Sequence, residues 1–594
     1  MSTKTSKKYG FFTLARRSVV MYFKAASWFG LLEQILALLH SFSWALGIIA
    51  TQLLFDAVFH ASDNDVNFWY VAMPLGILAI VTLSQQILNG VENFVANEVA
   101  YKNGGKFMAI LQRKLQRIPA KNFENTGFLD DVNRAREGAG EVAELAWISL
   151  QFFTFYVVFF ATVGIYLFWL SPILLIVLFI SFIPAIIGQY FHVKVFTKLE
   201  EENAPMRRRY EYYQKAIADR EFYKETRILG AFRYFHALFS QSLLAVTKKI
   251  WQTERKMAII MLLLNIATFV GLGLSTYLLF INTLSGIITI GAFAAVFGAL
   301  NGIFGMMDEL LIWNLGGVTK NVGKAANYMR VLDMEEIDGA DGTPDFSKGI
   351  IAKNISFSYP GRDETAIKNL SLTIKDKETI AIVGENGAGK STLVRLLTGI
   401  YRPDSGTVEI GGLDSTKTHP NAIFNGISGV FQRYQRYKMT LSENVAISDT
   451  TVIPNNTKIQ NVLDEAEFNE ENATLDTMLS PEFDGIDLSG GQWQRLAIAR
   501  GLYRENDFIV LDEPTAAIDP IEEARIYNQF KQLAKDKCAV VVTHRLSSAK
   551  LADRIVVMDN GEIVGLGTHD ELLSKGGKYA DMWSAQATWY EDRN

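Results

Sequence analysis

The chain has 594 residues, 49% of them apolar, and its 58 Lys and Arg against 63 Asp and Glu give a formal charge of −5. That length predicts more than one domain, and so small a net charge on so long a chain gives no basic footprint for nucleic-acid binding. A single cysteine, Cys538, excludes an intramolecular disulfide; its place in the apolar run Cys538-Ala539-Val540-Val541-Val542 suits a small buried residue better than a nucleophile or ligand.

The N-terminal stretch interleaves Lys4, Lys7, Lys8, Arg16, Arg17 and Lys24 with Phe11, Phe12, Leu14, Val19, Val20, Tyr22 and Phe23. This mixture predicts a basic amphipathic helix lying on a membrane surface. A signal peptide would need a compact apolar core followed by a small-residue cleavage site, and that pattern is missing here. Six apolar segments follow, at 31–55, 70–88, 145–170, 172–191, 257–281 and 284–307, each near the ~20 residues that cross a hydrocarbon core.

The connections between spans alternate in charge. Asp63 and Asp65 lie between the first two, and very short polar turns join the third to the fourth and the fifth to the sixth. The segment 101–136, by contrast, carries Lys102, Lys106, Arg113, Lys114, Arg117, Lys121, Arg134 and Arg136, and 192–256 is similarly basic. Positive loops stay inside, which predicts a multi-pass protein of the cell (plasma or inner) membrane, in contact with lipid and with both termini cytoplasmic. The two inner segments are much longer than tight turns and read largely as helix, so the spans are expected to project into the cytoplasm.

Several spans hold polar residues: Glu33, Gln34, His40 and Gln52 in the first, Gln85, Gln86, Asn89, Glu92 and Asn93 at the end of the second, and Asn301, Asp308 and Glu309 in the last. Such groups are costly in lipid, so they either line a cavity or hydrogen-bond between helices. The expected division is a transmembrane domain over 1–330, a polar linker over 331–348 containing Asp341-Gly342-Thr343-Pro344, and a soluble domain over 349–594 in which strand and helix patterns alternate.

Within the soluble part, the strand-like Thr379-Ile380-Ala381-Ile382-Val383 runs into Gly384-Glu385-Asn386-Gly387-Ala388-Gly389-Lys390-Ser391-Thr392 and then into Leu393-Val394-Arg395-Leu396-Leu397. A strand, a glycine-rich turn and a helix start make a phosphate-binding P-loop. Side chains at the glycines would hold the backbone off the phosphates, and the helix N-terminus adds N–H groups and a positive dipole end. Lys390 is expected at the β- and γ-phosphates and the Ser391 hydroxyl on Mg²⁺.

Downstream, Leu488-Ser489-Gly490-Gly491-Gln492, followed by Gln494-Arg495 and Ala497-Ile498-Ala499-Arg500, resembles the signature motif of ATP-binding cassette transporters. Phe508-Ile509-Val510-Leu511-Asp512-Glu513-Pro514 resembles their Walker B strand, Ala516-Ala517-Ile518-Asp519 the D-loop, Val541-Val542-Thr543-His544 the switch histidine, Gly429-Val430-Phe431-Gln432 the Q-loop, and Ser358-Tyr359-Pro360 the aromatic that stacks on adenine. The resemblance implies a six-helix transmembrane bundle with long cytoplasmic extensions, followed by an α/β P-loop NTPase cassette, with ATP and Mg²⁺ as cofactors. It assigns nucleotide contacts to Tyr359, residues 384–392 including Glu385, Asn386, Ala388 and Thr392, and Asp519. Ser489, Gly490, Gly491 and Gln492 would meet the nucleotide of a partner subunit. Ser391, Gln432 and Asp512 would hold the metal, Gln432 and His544 would contact the γ-phosphate or attacking water, and Glu513 would orient or deprotonate that water.

Six spans ahead of one cassette resemble exporter half-transporters, in which two copies form the working unit, and Lys224-Glu225-Thr226-Arg227-Ile228-Leu229-Gly230 resembles the second coupling-helix region there. The stretch Thr477-Met478-Leu479-Ser480-Pro481-Glu482-Phe483-Asp484-Gly485 departs from the family's shorter loop before the signature. Gln492-Trp493-Gln494-Arg495 and Phe431-Gln432-Arg433-Tyr434 resemble exporters of lantibiotics and other peptides. The expectation is an ATP-hydrolysing exporter homodimer moving a peptide or other small-molecule substrate out of the cytoplasm. A lipid flippase, a multidrug exporter and an ATP-gated channel or sensor stand as alternatives.

Overall fold

The computed structural model describes residues 9–63, 67–362, 364–432, 434–512 and 534–591. It forms two compact units, one from Met1–Gln116 and Asp130–Met334, the other from Arg117–Leu129 and Glu335–Asn594. The short segment Arg117–Leu129 thus packs with the second unit although it is flanked on both sides by chain of the first.

In the first unit, α1 (Phe11–Asp63) kinks at Ser27, whose φ of 54° breaks the helical run and separates the basic N-terminal helix from the first span. There follow α2 (Trp69–Gln116), α3 (Thr126–Gln151), α4 (Val157–Leu170), α5 (Pro172–Ala218), the short α6 (Tyr223–Ile228), α7 (Phe232–Leu284), α8 (Ile290–Asp308) and α9 (Gly316–Leu332). A π-helical turn, Phe152–Tyr156, joins α3 to α4, and another, Glu309–Leu315, follows α8. Six helical segments among the described residues are long and apolar enough to cross a membrane. α7 is 53 residues and α2 is 48, or roughly 70–80 Å at 1.5 Å per residue. A bilayer core is ~30 Å thick, so each helix extends well beyond it.

Small residues set how closely these helices approach. A Cβ on Gly271 of α7 would lie 2.3 Å from Ser181 Oγ of α5, and one on Gly188 of α5 would lie 2.9 Å from Met261 Sδ of α7. Glycine at these crossings lets α5 and α7 pack along each other. Asp56 of α1 caps α8: Gly291 N–H donates to its Oδ1 at 2.9 Å and the Thr289 hydroxyl to its Oδ2 at 3.0 Å. A carboxylate at a helix N-terminus satisfies orphan donors and complements the dipole.

One boundary differs from the sequence expectation. The sixth span was expected to start at Leu284, but α7 runs to that residue and α8 begins only at Ile290. Gly286, at φ 70°, makes the turn between them. Ile287 and Ile288 sit in that turn and carry the apolar signal across it, which hides the break.

The second unit contains two sheets. One has the order β2-β1-β4-β5, from β1 (Ile350–Ser358), β2 (Thr365–Ile374), β4 (Ser405–Ile410) and β5 (Leu413–Asp414), all antiparallel. The other has the order β10-β9-β3-β8-β7-β6, from β3 (Thr379–Gly384), β6 (Ile427–Val430), β7 (Phe508–Asp512), β8 (Cys538–Val542), β9 (Arg554–Asp559) and β10 (Glu562–Gly567). Its pairs are parallel except for the β9–β10 hairpin. β7 and β8 are buried along their whole length, and near-continuous Val, Ile and Leu is what a parallel strand covered on both faces requires. Cys538 lies in that core, 1% exposed, and burial pushes its thiol pKa up.

Candidate functional site

The P-loop follows from β3. Parallel pairing with β8 and β9 holds this strand in the middle of the sheet, so the chain leaving its C-terminal end at Gly384 turns at a fixed point. Gly384, Gly387 and Gly389 take φ of 150°, 87° and 97°. A Cβ on Gly384 would meet the Met558 carbonyl oxygen at 2.3 Å, whereas one on Gly387 would meet nothing within 4 Å. The first glycine is therefore demanded by β9, and the second leaves open space. The helix Lys390–Leu397 starts directly after Gly389. Lys390 is buried and donates from Nζ to the carbonyls of Gly384 at 2.9 Å and Glu385 at 3.0 Å, spanning the loop. Ser391 Oγ stands 3.4 Å from Asp512 Oδ1 at the end of β7.

The P-loop borders a cavity of about 630 Å³. Asn386, Gly387, Gly389 and the run Lys390-Ser391-Thr392 line one side, and Tyr359 and Gln432 contribute to the rest. The set fits a nucleotide triphosphate with its ion: a glycine cradle with open space above Gly387, a buried ammonium, and a hydroxyl beside a buried carboxylate that together suit Mg²⁺. Sequence reasoning missed other walls of the cavity. Thr365 and Ala366 come from β2, and Asn560 and Gly561 from the β9–β10 turn. They are small or polar residues with no motif to mark them, brought in because Lys368 N–H bonds the Gly561 carbonyl and Gly561 N–H bonds the Ala388 carbonyl.

Tyr359 is anchored through its hydroxyl, 2.9 Å from Thr392 Oγ1, and Arg395 Nη1 donates to that hydroxyl at 3.1 Å. Arg395 also pairs with Glu124 at 3.6 Å, and the Tyr401 hydroxyl donates to Glu124 as well. Burial raises the Tyr401 phenol pKa, and hydrogen bonding to Glu124 adds to it. Lys121 meets Asp404 at 2.5 Å, and Asp404 in turn accepts from Ser358 N–H at 2.8 Å. The segment Arg117–Leu129 is thereby tied to the residues that position Tyr359, a connection no spacing in the sequence announces.

The signature residues lie elsewhere in the unit. Ser489 is the N-cap of the helix Gly490–Tyr503; its Oγ accepts from Gln492 N–H and its own N–H donates to Gln492 Oε1 at 2.7 Å, a reciprocal capping box. Gln492 Nε2 donates to Glu470 at 2.6 Å and to the Asn469 carbonyl at 3.2 Å, so this side chain, expected at a nucleotide, is engaged in capping and in holding the neighbouring loop. Tyr434, two residues after Gln432, donates its hydroxyl to the Gly490 carbonyl at 2.9 Å. None of Ser489, Gly490, Gly491 and Gln492 lines the P-loop cavity of its own chain. His544 follows β8, and its carbonyl accepts from Gln586 Nε2 at 2.6 Å. Glu513 and Asp519 lie outside the described residues. The departing loop before the signature folds back on itself: Ile486 N–H bonds the Met478 carbonyl, Gly485 N–H bonds the Ser480 carbonyl, and Asp484 sits at φ 58°.

Among the polar residues in the spans, both readings find examples. Glu33 accepts from the Tyr22 hydroxyl, Gln34 from the Thr154 hydroxyl at 2.8 Å, and Gln52 from the Tyr166 hydroxyl at 2.8 Å. His40, Gln85, Gln86, Asn89, Glu92, Asn93 and Glu309 border one cavity of about 380 Å³, and His40, Glu92 and Glu309 are also hydrogen-bonded between helices.

A P-loop cradle on a mostly parallel sheet, in a chain that also carries six span-length helices, defines a multi-pass membrane protein with a nucleotide site. Residues 31–209 match the ABC transporter transmembrane region and residues 367–516 match the ABC transporter family. The chain belongs to the ABC transporters, with membrane region and nucleotide-binding domain fused in the half-transporter arrangement. It is similar to the subtilin transport ATP-binding protein of Bacillus subtilis, 42% identical over 238 residues, which are 39% of each chain. It also resembles the ATP-dependent lipid A-core flippase of Photobacterium profundum, 35% identical over 308 residues, 50% of this chain and 52% of that one. The chain thus spans about two fifths to half of the length of these curated relatives. The solved structure of a bacterial Atm1-family ABC exporter with ATP bound shares the fold, with a TM-score of 0.73 at 22% identity, covering 96% of this chain and 98% of that one.

Proposed function

We propose that two copies of this chain form an ATP-driven exporter of the cell membrane, with both termini cytoplasmic and a peptide as cargo. The observation that carries the reading is the split between P-loop and signature. Lys390 and Ser391 line one cavity, with Asp512 3.4 Å behind Ser391, while Ser489, Gly490 and Gly491 of the same chain do not line it. A second copy supplies the missing signature and receives the same in return, so that two identical chains give two equivalent sites.

In each site, Lys390 takes β- and γ-phosphate oxygens of ATP, and the N–H groups at the start of the P-loop helix add to the phosphate cradle. Ser391, Asp512 and Gln432 would hold Mg²⁺, which when bound supplies charge neutralisation at the phosphates. Glu513 orients or deprotonates the attacking water, and His544 reaches the γ-phosphate from the other side. Closure of two cassettes on ATP and reopening after hydrolysis biases the membrane helices between inward- and outward-facing states.

The peptide assignment is supported by the subtilin relative and by a second one, the nisin transport ATP-binding protein of Lactococcus lactis, 36% identical over 246 residues, 41% of each chain. The flippase resemblance supports a lipid as the competing cargo. The dimer is tested by expressing this chain alone and purifying it: the expected product is a dimer with ATPase activity, and a monomer without activity would contradict the proposal.

A further inference from the structure

The cavity in the membrane unit is walled by α1, α2, α3 with its π-helical turn, and the end of α8. Glu92 lies roughly 35 Å along α2 from Trp69 at 1.5 Å per residue, which puts the cavity near the end of the span opposite to Trp69. Its charge is one-sided. Glu92 and Glu309 border it, and the only basic side chain among its described lining residues is His40.

His40 is already engaged: its Nδ1 is 2.6 Å from Glu92 Oε2, and Gln151 Nε2 donates to Glu92 Oε1 at 3.0 Å, with all three side chains buried. The other carboxylate, Glu309, is exposed and accepts from the Tyr156 hydroxyl at 3.0 Å. That hydroxyl accepts in turn from Asn314 Nδ2 at 2.7 Å, which leaves its own proton directed at the carboxylate. Among the described lining residues no Lys or Arg stands to neutralise Glu309. A carboxylate at the margin of a membrane needs water or a cationic partner, and the cavity offers room for either.

The remaining walls add two features. Trp44, Trp147, Phe155 and Tyr156 contribute aromatic surface, whose ring faces attract ammonium and guanidinium groups. Gln85, Gln86, Asn89 and Asn93 present amides, which match the donors and acceptors of a peptide backbone. We infer that this cavity is a recognition site for a cationic side chain or terminus of an amphipathic peptide, with Glu309 as the charge partner and Glu92 held in place by His40 and Gln151. The inference rests on the export reading. Peptide is favoured over an aminolipid headgroup because a lipid phosphate would need a free cation, and His40 is committed to Glu92.

The test uses the full chain in nanodiscs without ATP, with tryptophan fluorescence as the binding signal. The probes are a synthetic amphipathic peptide rich in lysine, its lysine-acetylated counterpart and short-chain phosphatidylethanolamine. The lysine peptide should bind about tenfold more tightly than the acetylated one, and Glu309→Gln should remove most of that difference, the scale expected for a partly exposed charge pair with supporting hydrogen bonds. Glu309→Lys should abolish the preference. Glu98→Gln, at an exposed residue paired with Lys102 and away from the cavity, should retain it. Because Glu92→Gln removes a buried partner and risks the fold, the exposed Glu309 carries the test. Equal affinity for the two peptides, a preference that survives in Glu309→Gln, or displacement by phosphatidylethanolamine of a signal that peptide does not change would overturn the inference. Selective binding by a protein that lacks ATPase activity would support the site while contradicting the export reading.

Discussion

Gly384 and Gly387 both have positive φ, yet their surroundings predict opposite consequences of substitution. In Gly384→Ala, the new Cβ would stand 2.3 Å from the Met558 carbonyl oxygen, its neighbour across the parallel β3–β9 register. A carbon–oxygen contact needs about 3.3 Å, so β9 would have to recede by about 1 Å. Backbone strain of about 1–3 kcal/mol and overpacking of similar size together cost roughly 2–6 kcal/mol. That is a large share of the ~5–15 kcal/mol that holds a typical domain together. In Gly387→Ala the Cβ meets no protein atom within 4 Å, so the fold bears only the strain of positive φ, about 1–2 kcal/mol. The same methyl, however, sits on a residue lining the P-loop cavity. Thermal unfolding of the detergent-purified full chain and titration with a fluorescent ATP analogue separate the two effects. Gly384→Ala should melt far below wild type, while Gly387→Ala should melt close to it and bind nucleotide at least about tenfold more weakly, a loss of ~1.4 kcal/mol. The reasoning is refuted if Gly384→Ala melts and binds like wild type, or if Gly387→Ala keeps full affinity.

Glu513→Gln should retain ATP binding and reduce hydrolysis by about 10²-fold or more, the loss expected for a positioned base, as measured by phosphate release beside equilibrium nucleotide binding. Tyr434→Phe deletes the hydroxyl bond to the Gly490 carbonyl and should lower ATPase turnover with little change in ATP affinity, on the scale of one hydrogen bond, ~1 kcal/mol. Asp56→Ala removes the carboxylate that caps α8 and should destabilise the membrane unit by about 1–2 kcal/mol, read as a lower melting temperature in detergent. Thr440, through its backbone N–H and then its hydroxyl, holds the Glu443 carboxylate below the usual glutamate range. Because the folded-state pKa is the lower one, this stabilisation is present above the unfolded value and lost as pH falls through the folded value. Glu443→Gln should therefore melt below wild type at neutral pH, and the gap should close in acid.

The features legible in the sequence were those whose chemistry forces a local pattern. A phosphate cradle needs glycines, a lysine and a hydroxyl within nine residues, and a span needs a continuous apolar run, so the 384–392 loop and the presence of six span-length apolar helices could be read directly. The start of α8 was misread because Ile287 and Ile288 keep the turn apolar, and hydropathy does not register the φ of Gly286. Contacts assembled over long separations left no trace. Gly561 reaches the nucleotide cavity through bonds to Lys368 and Ala388, and Glu124 meets Tyr401 and Arg395 more than two hundred residues away. The bonds of Gln492 to the helix cap and to Glu470 are likewise set by the fold of the neighbouring loop and not by the motif.

The most direct test of the account is transport itself, with the singly expressed chain reconstituted into sealed vesicles with its cassette facing outward. The account predicts ATP-dependent accumulation of a lysine-rich amphipathic peptide inside the vesicles, abolished by Lys390→Ala and by Glu513→Gln. Accumulation of lipid or hydrophobic dye with none of peptide, or peptide uptake that persists without ATP, would contradict it.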